Sequence, residues 1–271
     1  MIYAQSDGIP ANTLQNTLVV PFNDIEAVEK TVKEHKSELA AVIIEPIMHN
    51  VGCIMPEDGY LKAVREITEQ NDVILIFDEV ITGFRHGLGG VQKIFGVIPE
   101  LTVIAKAMAN GYPIGAVCGR KDIMSCLRPI GNVLMAATYY SHPVSVAAAL
   151  ATIKELESGK VHEHISNLGD AIRKGLAKII EDMGLKAQVV GYKSVFWIYF
   201  TDVKIRNYAS LANIDEQAYL AYNQGMMRRG IFFVPRHLKR CHLSAAHTER
   251  DARSFLVSAE RTLSELSQKK D

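Results

Sequence analysis

The sequence lacks the features that define several large classes of protein. None of its apolar runs approaches the roughly 20 residues that a membrane-spanning helix needs. Its 30 basic and 30 acidic residues cancel, and no long basic stripe suggests nucleic-acid binding. The start of the chain lacks the charged segment and apolar centre of a secretory signal. These absences predict a soluble, cytoplasmic protein that binds neither a membrane nor nucleic acid.

Cysteine is also scarce, and the four cysteines are too far apart for a zinc or redox motif. They lie at positions 53, 118, 126 and 241, and no two of them form a CxxC pair. Reduced thiols in a cytoplasmic protein are the simplest interpretation of this spacing. The sequence therefore predicts no metal site.

Apolar strands alternate with helical patterns through the first half of the chain. With 48% hydrophobic residues, the sequence has enough apolar surface for a large core. The predicted strands are 40–44, 73–77, 101–105 and 114–118, and the predicted helices between and before them are 25–38 and 58–70. The second strand is apolar throughout, which is typical of a strand covered on both faces. This alternation predicts an α/β fold with a mostly parallel sheet.

The pattern changes after about residue 143. Long helices are predicted over 144–156, 165–183, 215–229 and 248–266, and short strands over 187–190, 195–200 and 231–234. The mixture is typical of a smaller α+β unit. We therefore predict two domains, a larger one over residues 1–143 and a C-terminal one over residues 144–271.

Charged residues follow three of the predicted strands. Glu45 follows the first, Asp78 and Glu79 follow the second, and Lys106 follows the third. Chemistry in a parallel sheet collects at the carboxyl ends of the strands, where these side chains can share one crevice. An anion and a cation placed there could form a structural ion pair, or they could hold the two ends of one cofactor.

The segments around these residues resemble a known enzyme family. The runs "VILIFDEVITGFR" (73–85) and "LTVIAKAMANGYPIGAVCGR" (101–120) closely resemble the class III aminotransferases, which are pyridoxal-phosphate (PLP) enzymes of fold type I. The details "GFR" and "GGVQ" are similar to the glutamate-1-semialdehyde aminomutase group. The resemblance runs from about Pro21 to Ala151 and returns more weakly in "LSAAHTERD".

The resemblance implies a role for each matching residue. Lys106 would form the Schiff base with the PLP aldehyde and carry the proton at the substrate α-carbon. Asp78 would pair with the pyridine nitrogen and keep it protonated, so that the ring can accept electrons. Val80 would pack against the ring face, and Thr138 would bind the cofactor phosphate from the neighbouring subunit of a homodimer. Glu79 has no such role and is expected to order the turn.

The sequence also departs from the family pattern. Residues 107–111 read AMANG where relatives often have glycines directly after the lysine, and residues 137–143 read ATYYSHP where many relatives read GTxxGNP. Family members are considerably longer, and no Gly/Ser/Thr-rich segment that could cradle a phosphate precedes residue 40. The expectation is an incomplete large domain, with the missing half lost, encoded separately or supplied by another polypeptide.

Three functions remain open at this point. The first is an aminotransferase that passes an amino group from a small-molecule donor to a carbonyl acceptor. The second is an aminomutase that moves the group within one substrate, and the third is a non-catalytic half-enzyme. His49, His86 and His142 are interpreted as polar loop residues, and Lys239 and Arg240 as part of a solvated surface, although arginine can bind a substrate carboxylate.

Overall fold

A computed structural model describes residues 6–268 of the chain. Its first sheet contains four strands, and they lie side by side in the order of the sequence. The first three strands are parallel, and the fourth runs antiparallel to the third. These strands are β1 (Ala41–Ile44), β2 (Ile74–Glu79), β3 (Leu101–Ala105) and β4 (Gly115–Gly119). The prediction of a mostly parallel sheet is confirmed.

Helices cover one face of this sheet. The side chains of Leu75 and Phe77 are fully buried there, in a core that also contains residues of the first two long helices. The helix at 25–34 begins at Asp24, whose side chain accepts a hydrogen bond from the Ala27 amide. The helices of this half are α1 (Ile25–Glu34), α2 (Tyr60–Gln70), α3 (Gly90–Phe95) and α4 (Lys121–Met124), with 3-10 turns at Ala11–Asn16 and Lys106–Met108.

The opposite face of the sheet is open, and the expectation that β2 is covered on both faces is wrong. Burial alternates along β2, with Ile74, Ile76 and Asp78 only half-buried between fully buried neighbours. Ile43, which is paired with Ile76 in the register, is 65% exposed. The apolar composition of β2 is typical of a strand covered on both faces, but residues 6–268 cover only one face of it. We call the face with Ile43, Ile74, Ile76 and Asp78 the open face.

The second half of the chain is an antiparallel sheet packed against long helices. Its strands are β5 (Gln188–Tyr192), β6 (Val195–Tyr199) and β7 (Cys241–His242), in that order. Its helices are α5 (Pro143–Leu156), α6 (Lys160–Asp182), α7 (Glu216–Arg228) and α8 (Glu249–Ser267), with a 3-10 turn at Ala209–Asn213. The predicted strand at 231–234 is wrong. The carbonyls of Phe233 and Val234 accept hydrogen bonds from the Asn223 amide and the Tyr219 hydroxyl instead of pairing with a strand.

The central strand of the second sheet connects the two halves. All five residues of β6 are buried. Phe196 and Ile198 pack with α6 and α8, whereas Trp197 and Tyr199 join the core that lies under the first sheet. The expected boundary between residues 143 and 144 falls at the start of α5 and remains a prediction. None of the helices within residues 6–268 is long and apolar enough to cross a membrane.

Candidate active site

Asp78 lies near the carboxyl end of β2, on the open face. It is half-buried, and its Cα is paired with that of Val103 on β3. The Val80 amide donates a hydrogen bond to Asp78 Oδ1 over 3.0 Å. No residue between 6 and 268 donates a hydrogen bond to Oδ2, so this carboxylate oxygen can accept a hydrogen bond from a ligand.

Lys106 is the first residue after β3 and three residues beyond the Cα partner of Asp78. Adjacent strands lie about 4.8 Å apart and rise about 3.3 Å per residue, so the two Cα atoms are separated by roughly 11 Å. Lys106 has a φ of 46°, which is uncommon for a residue with a side chain and turns the backbone sharply out of the strand. Its side chain is exposed, and its ammonium makes no hydrogen bond or ion pair with the described residues.

This arrangement fits one part of the cofactor that the sequence implies. Asp78 and Lys106 form no ion pair with each other within residues 6–268, and both lie at the carboxyl ends of their strands, at the same edge of the sheet. A pyridine ring with a carbonyl group can span such a gap, with its nitrogen at Asp78 and its aldehyde at Lys106. Val80, half-buried directly after β2, lies beside this gap.

The phosphate end of the cofactor has no comparable site among residues 6–268. Helix N-termini bind phosphate through free amides, and α3 begins close to the carboxyl end of β2. Its first amides are already taken, because Val91 N and Gln92 N donate to the Glu79 carboxylate over 2.7 and 3.1 Å. Glu79 is fully buried and also accepts a hydrogen bond from the Thr82 hydroxyl. Glu79 therefore orders the turn after β2, as the sequence analysis expected.

Thr138 is not brought together with Asp78 and Lys106 by any described contact. It lies in an exposed turn before α5, and its hydroxyl makes no hydrogen bond with residues 6–268. Helix α5 itself packs close to the Lys106 turn, since Ala149 shares a small core with Met108 and Ala109. The turn of Thr138 therefore faces outward, which is where a residue that serves a neighbouring subunit would lie.

Two arginines lie beside the site: Arg85, to which the sequence gave no role, and Arg240, which was expected on a solvated surface. Arg85, in the loop after β2, donates a hydrogen bond to the Leu243 carbonyl over 2.7 Å. Arg240 donates from Nε to His242 Nε2 over 2.9 Å. Burial lowers the pKa of both guanidiniums, and each forms no ion pair with a carboxylate in the described part of the chain. Arg240 is thus half-buried, and its placement on a solvated surface was wrong.

Two histidines form a buried pair where the sequence suggested polar loop residues. His49 and His86 are both fully buried, and their Nε2 atoms lie 2.9 Å apart. Burial lowers the pKa of His49 to about 3, with further effects of His242, Arg240 and Arg85. Burial and the neighbouring His49 and Lys193 lower the pKa of His86 to about 2. The spacing of 37 residues between them gives no sequence signal, because only the fold brings the two loops together.

The buried pair predicts a loss of stability in mild acid. In the unfolded chain these histidines take up a proton near pH 6.5, whereas in the folded chain they stay neutral until far lower pH. The unfolded state thus binds more protons below pH 6.5, so the free energy of unfolding falls as the pH drops. Between pH 7.5 and about pH 5.5 we expect a loss of about 1 kcal/mol per histidine, measured by urea unfolding.

A matched pair of variants checks the origin of this loss. His35→Gln removes a histidine at the end of α1 and is expected to keep the pH dependence. His86→Gln removes a titrating group of the pair and is expected to reduce it. An equal pH dependence in the native chain and in His86→Gln would show that the buried pair does not cause the loss.

The remaining polar groups give no metal site. Within residues 6–268, no group of three or more histidine, cysteine, aspartate or glutamate side chains is arranged to hold a metal ion. All four cysteines are free thiols.

Comparison with known proteins gives the family. The family model for class-III aminotransferases matches residues 4–243. The glutamate-1-semialdehyde 2,1-aminomutase of Methanothermobacter thermautotrophicus is 41% identical over 261 residues, which are 96% of this chain and 62% of that protein. The aminomutase of Methanocaldococcus jannaschii is 39% identical over 91% of this chain and 58% of its own length. The chain thus spans about 60% of the length of these relatives.

Solved structures show the same architecture. An omega-transaminase from Sphaerobacter thermophilus superposes with a TM-score of 0.89 at 32% identity, over 96% of this chain and 60% of that one. A transaminase solved with PLP bound superposes with a TM-score of 0.85 at 27% identity, over 97% of this chain and 61% of that one. The fold is that of the fold type I PLP enzymes, and PLP is the cofactor of this family. The chain belongs to the class-III aminotransferase family.

Proposed function

We propose that this chain is the part of a PLP-dependent aminotransferase that holds the catalytic lysine. The substrates would be an amino acid or amine as donor and a keto acid or aldehyde as acceptor. The main support is a pair of unpartnered polar ends, Asp78 Oδ2 on β2 and Lys106 Nζ directly after the adjacent β3, in a chain that the class-III aminotransferase model matches. Both side chains match the family motif by position.

Each residue of the proposed site would have a separate role toward PLP. PLP, when bound, supplies an electron sink for the substrate α-carbon. Lys106 would hold the aldehyde end through its amine, and the same amine would move the proton at the substrate α-carbon. The carboxylate of Asp78 would hold a proton on the ring nitrogen. Val80 would pack against the ring, and Thr138 would reach the phosphate of the neighbouring subunit.

Arg85 and Arg240 give the site its preference for a carboxylate on the substrate. Arg240 donates to His242, and Arg85 donates to the carbonyl of the next residue, Leu243. Besides burial, the charge of Lys106 also lowers the pKa of His242, so the three cations lie near one imidazole. A guanidinium presents paired donors that match the two oxygens of a carboxylate. Half-buried cations without an ion-pair partner are costly to keep in a fold, and an anionic substrate would compensate for them.

A second function is supported by the curated relatives. They are named glutamate-1-semialdehyde 2,1-aminomutases, and a name of this kind describes an enzyme that moves an amino group between carbons 2 and 1 of one substrate. Such an enzyme would need no separate acceptor. The same Lys106 and Asp78 would serve both reactions, so the choice depends on how the substrate is held.

One assay separates these functions. The chain, together with the N-terminal part of a relative to complete the large domain, is incubated with PLP and two sets of substrates. An aminotransferase is expected to produce one keto compound for each amino group that the acceptor gains. An aminomutase is expected to convert glutamate-1-semialdehyde without any added acceptor. No turnover of either set, despite bound cofactor, would favour the non-catalytic half-enzyme and overturn the proposal.

We further propose that the chain forms a homodimer in the cytoplasm. Free cysteines support a reducing compartment. The segment before α5 and the helix itself expose several large apolar side chains, among them Ile130, Leu134, Tyr139 and Leu150. Large apolar side chains exposed along one segment in this way are typical of an interface. Light scattering at micromolar concentration is therefore expected to give twice the mass of one chain or more, and a clean monomer would contradict the homodimer and the role of Thr138.

A further inference from the structure

Three imidazole rings stand in a row where the loops after β1 and β2 meet β7. The rings of His86 and His49 are stacked, with centroids 5.1 Å apart and planes inclined by 23°. The ring of His242 follows at 6.2 Å from that of His49. We call His86, His49 and His242 the imidazole column. It ends at Arg240, whose Nε donates to His242 Nε2 over 2.9 Å.

The column is fixed at its other end by the second sheet. Lys193, in the turn between β5 and β6, donates a hydrogen bond to the His86 carbonyl over 2.6 Å. The ring of Tyr192 meets that of His86 edge-on, with centroids 5.1 Å apart. His49 is held in turn by its backbone amide, which donates to Glu45 Oε2 over 3.0 Å. Neither His86 nor His49 can therefore move without breaking contacts in both halves of the chain.

All three imidazoles are neutral at ordinary pH. Burial is the largest cause for each, and for His242 the charges of Arg85, Arg240 and Lys106 follow, so that its pKa is lowered to about 3. A neutral imidazole has one donor and one acceptor nitrogen. Since Nε2 of His242 accepts from Arg240, its proton lies on Nδ1.

The contact at Nε leaves the outer nitrogens of Arg240 available. They make no hydrogen bond or ion pair with residues 6–268, so the guanidinium presents a free fork. Glu45 is the carboxylate whose charge acts on Arg240, but it accepts its hydrogen bonds from the His49 amide and the Asn50 side chain and forms none with Arg240. The partner that orients Arg240 is thus an uncharged one.

We propose that the imidazole column positions the Arg240 fork to receive the substrate carboxylate. This inference rests on the proposed function, in which Arg240 and Arg85 bind that carboxylate. His242, His49 and His86 are positioning residues, because they act through Arg240. A carboxylate in place of His242 would also orient Arg240, but it would neutralise the guanidinium and compete with the substrate. A neutral acceptor orients the fork and leaves its charge for the ligand.

Three substitutions at His242 separate these effects. Methionine and glutamine have similar size and shape, but glutamine keeps a strong oxygen acceptor for Arg240 Nε, whereas the thioether of methionine is only a weak acceptor. Glutamate keeps an acceptor and adds a charge. His164→Gln, on the exposed surface of α6, is the control. Circular dichroism establishes that each variant is folded, and the comparison of glutamine with glutamate remains decisive if the methionine variant does not fold.

The readout on the 271-residue chain is protection of Arg240 against an arginine-specific dicarbonyl reagent. Glutarate is the probe, and modification of the peptide that contains Arg240 is followed by mass spectrometry. Glutarate is expected to protect Arg240 in the native chain, in His242→Gln and in His164→Gln. In His242→Met, protection is expected to need at least ten-fold more glutarate. In His242→Glu, Arg240 is expected to be shielded without glutarate, which then adds nothing.

The outcomes distinguish this inference from the proposed function. Equal glutarate protection in the native chain, His242→Met and His242→Glu would overturn the role of the column and leave the carboxylate site in place. No protection in the native chain would overturn both. In the completed enzyme, His242→Met is expected to raise KM for a carboxylate-bearing donor at least ten-fold and to leave KM for a carboxylate-free amine unchanged. A general structural defect would instead affect both substrates.

Discussion

Replacing Asp78 by asparagine is expected to leave the fold intact and to reduce the rate of transamination by about 10- to 100-fold or more. The amide has nearly the same shape as the carboxylate, and its oxygen could still accept the hydrogen bond from the Val80 amide. The amide has no charge with which to keep a proton on the ring nitrogen. A hydrogen bond to a charged group contributes about 1.5–3 kcal/mol, and each 1.4 kcal/mol is a factor of about ten in rate.

The control for this variant is a substitution at Asp72, before the first residue of β2. Asp72 is exposed, sits just before β2 and has a φ of 56°, a conformation that asparagine tolerates well. Asp72→Asn is therefore expected to keep the parent rate. Single-turnover rates of the amino half-reaction are compared in the enzyme completed with an N-terminal part. A parent-like rate for Asp78→Asn would mean that Asp78 does not control the ring nitrogen.

The 271-residue chain taken alone is expected to bind PLP weakly. Asp78 and Lys106 would hold the ring nitrogen and the aldehyde, but the first amides of α3 are occupied by Glu79, and the proposed phosphate contact of Thr138 serves the neighbouring subunit. Charge-assisted hydrogen bonds to a phosphate contribute about 1.5–3 kcal/mol each, so the loss of two or three weakens binding by several orders of magnitude. The open face would also leave one side of a bound ring in contact with water.

Titration of the chain with PLP, followed by absorbance, measures this affinity. The same titration after addition of the N-terminal part of a relative, which corresponds to the roughly 40% of their length that this chain does not span, is the control. It is expected to restore tight binding. A dissociation constant in the low micromolar range for the chain alone would show that other residues hold the phosphate.

The sequence predicted those parts of the fold that depend on local pattern. The strands of the first sheet were found close to their expected bounds, because continuous apolar stretches of five residues between helical patterns have few other solutions. Asp78 and Lys106 were candidates because both follow apolar strands, at the carboxyl ends where a parallel sheet binds its ligands. Their motif then supplied the family, and Glu79 was correctly assigned to the turn.

The parts that were missed depend on contacts between distant segments. The pair His49–His86 and the contact of Arg240 with His242 exist only because the loops after β1 and β2 meet β7. β7 has two residues, too few for any periodicity, and pairs with Val195 and Phe196 of β6 through long-range register. The apolar run at 231–234 has the composition of a strand, but two of its carbonyls accept hydrogen bonds from side chains of α7 instead of from a neighbouring strand. The composition of β2 likewise gave no sign of which face the described residues leave open.

The central claim, that Lys106 holds the aldehyde of PLP, is tested most directly by trapping the lysine. The chain is saturated with PLP, reduced with sodium borohydride, digested and mapped by mass spectrometry. Lys121, exposed at the start of α4, is the internal control for non-specific labelling. A Lys106→Ala variant is the matched control protein. The account predicts a pyridoxyl label on Lys106 in the native chain and little label anywhere in the variant. A label on other lysines with Lys106 unmodified would contradict it.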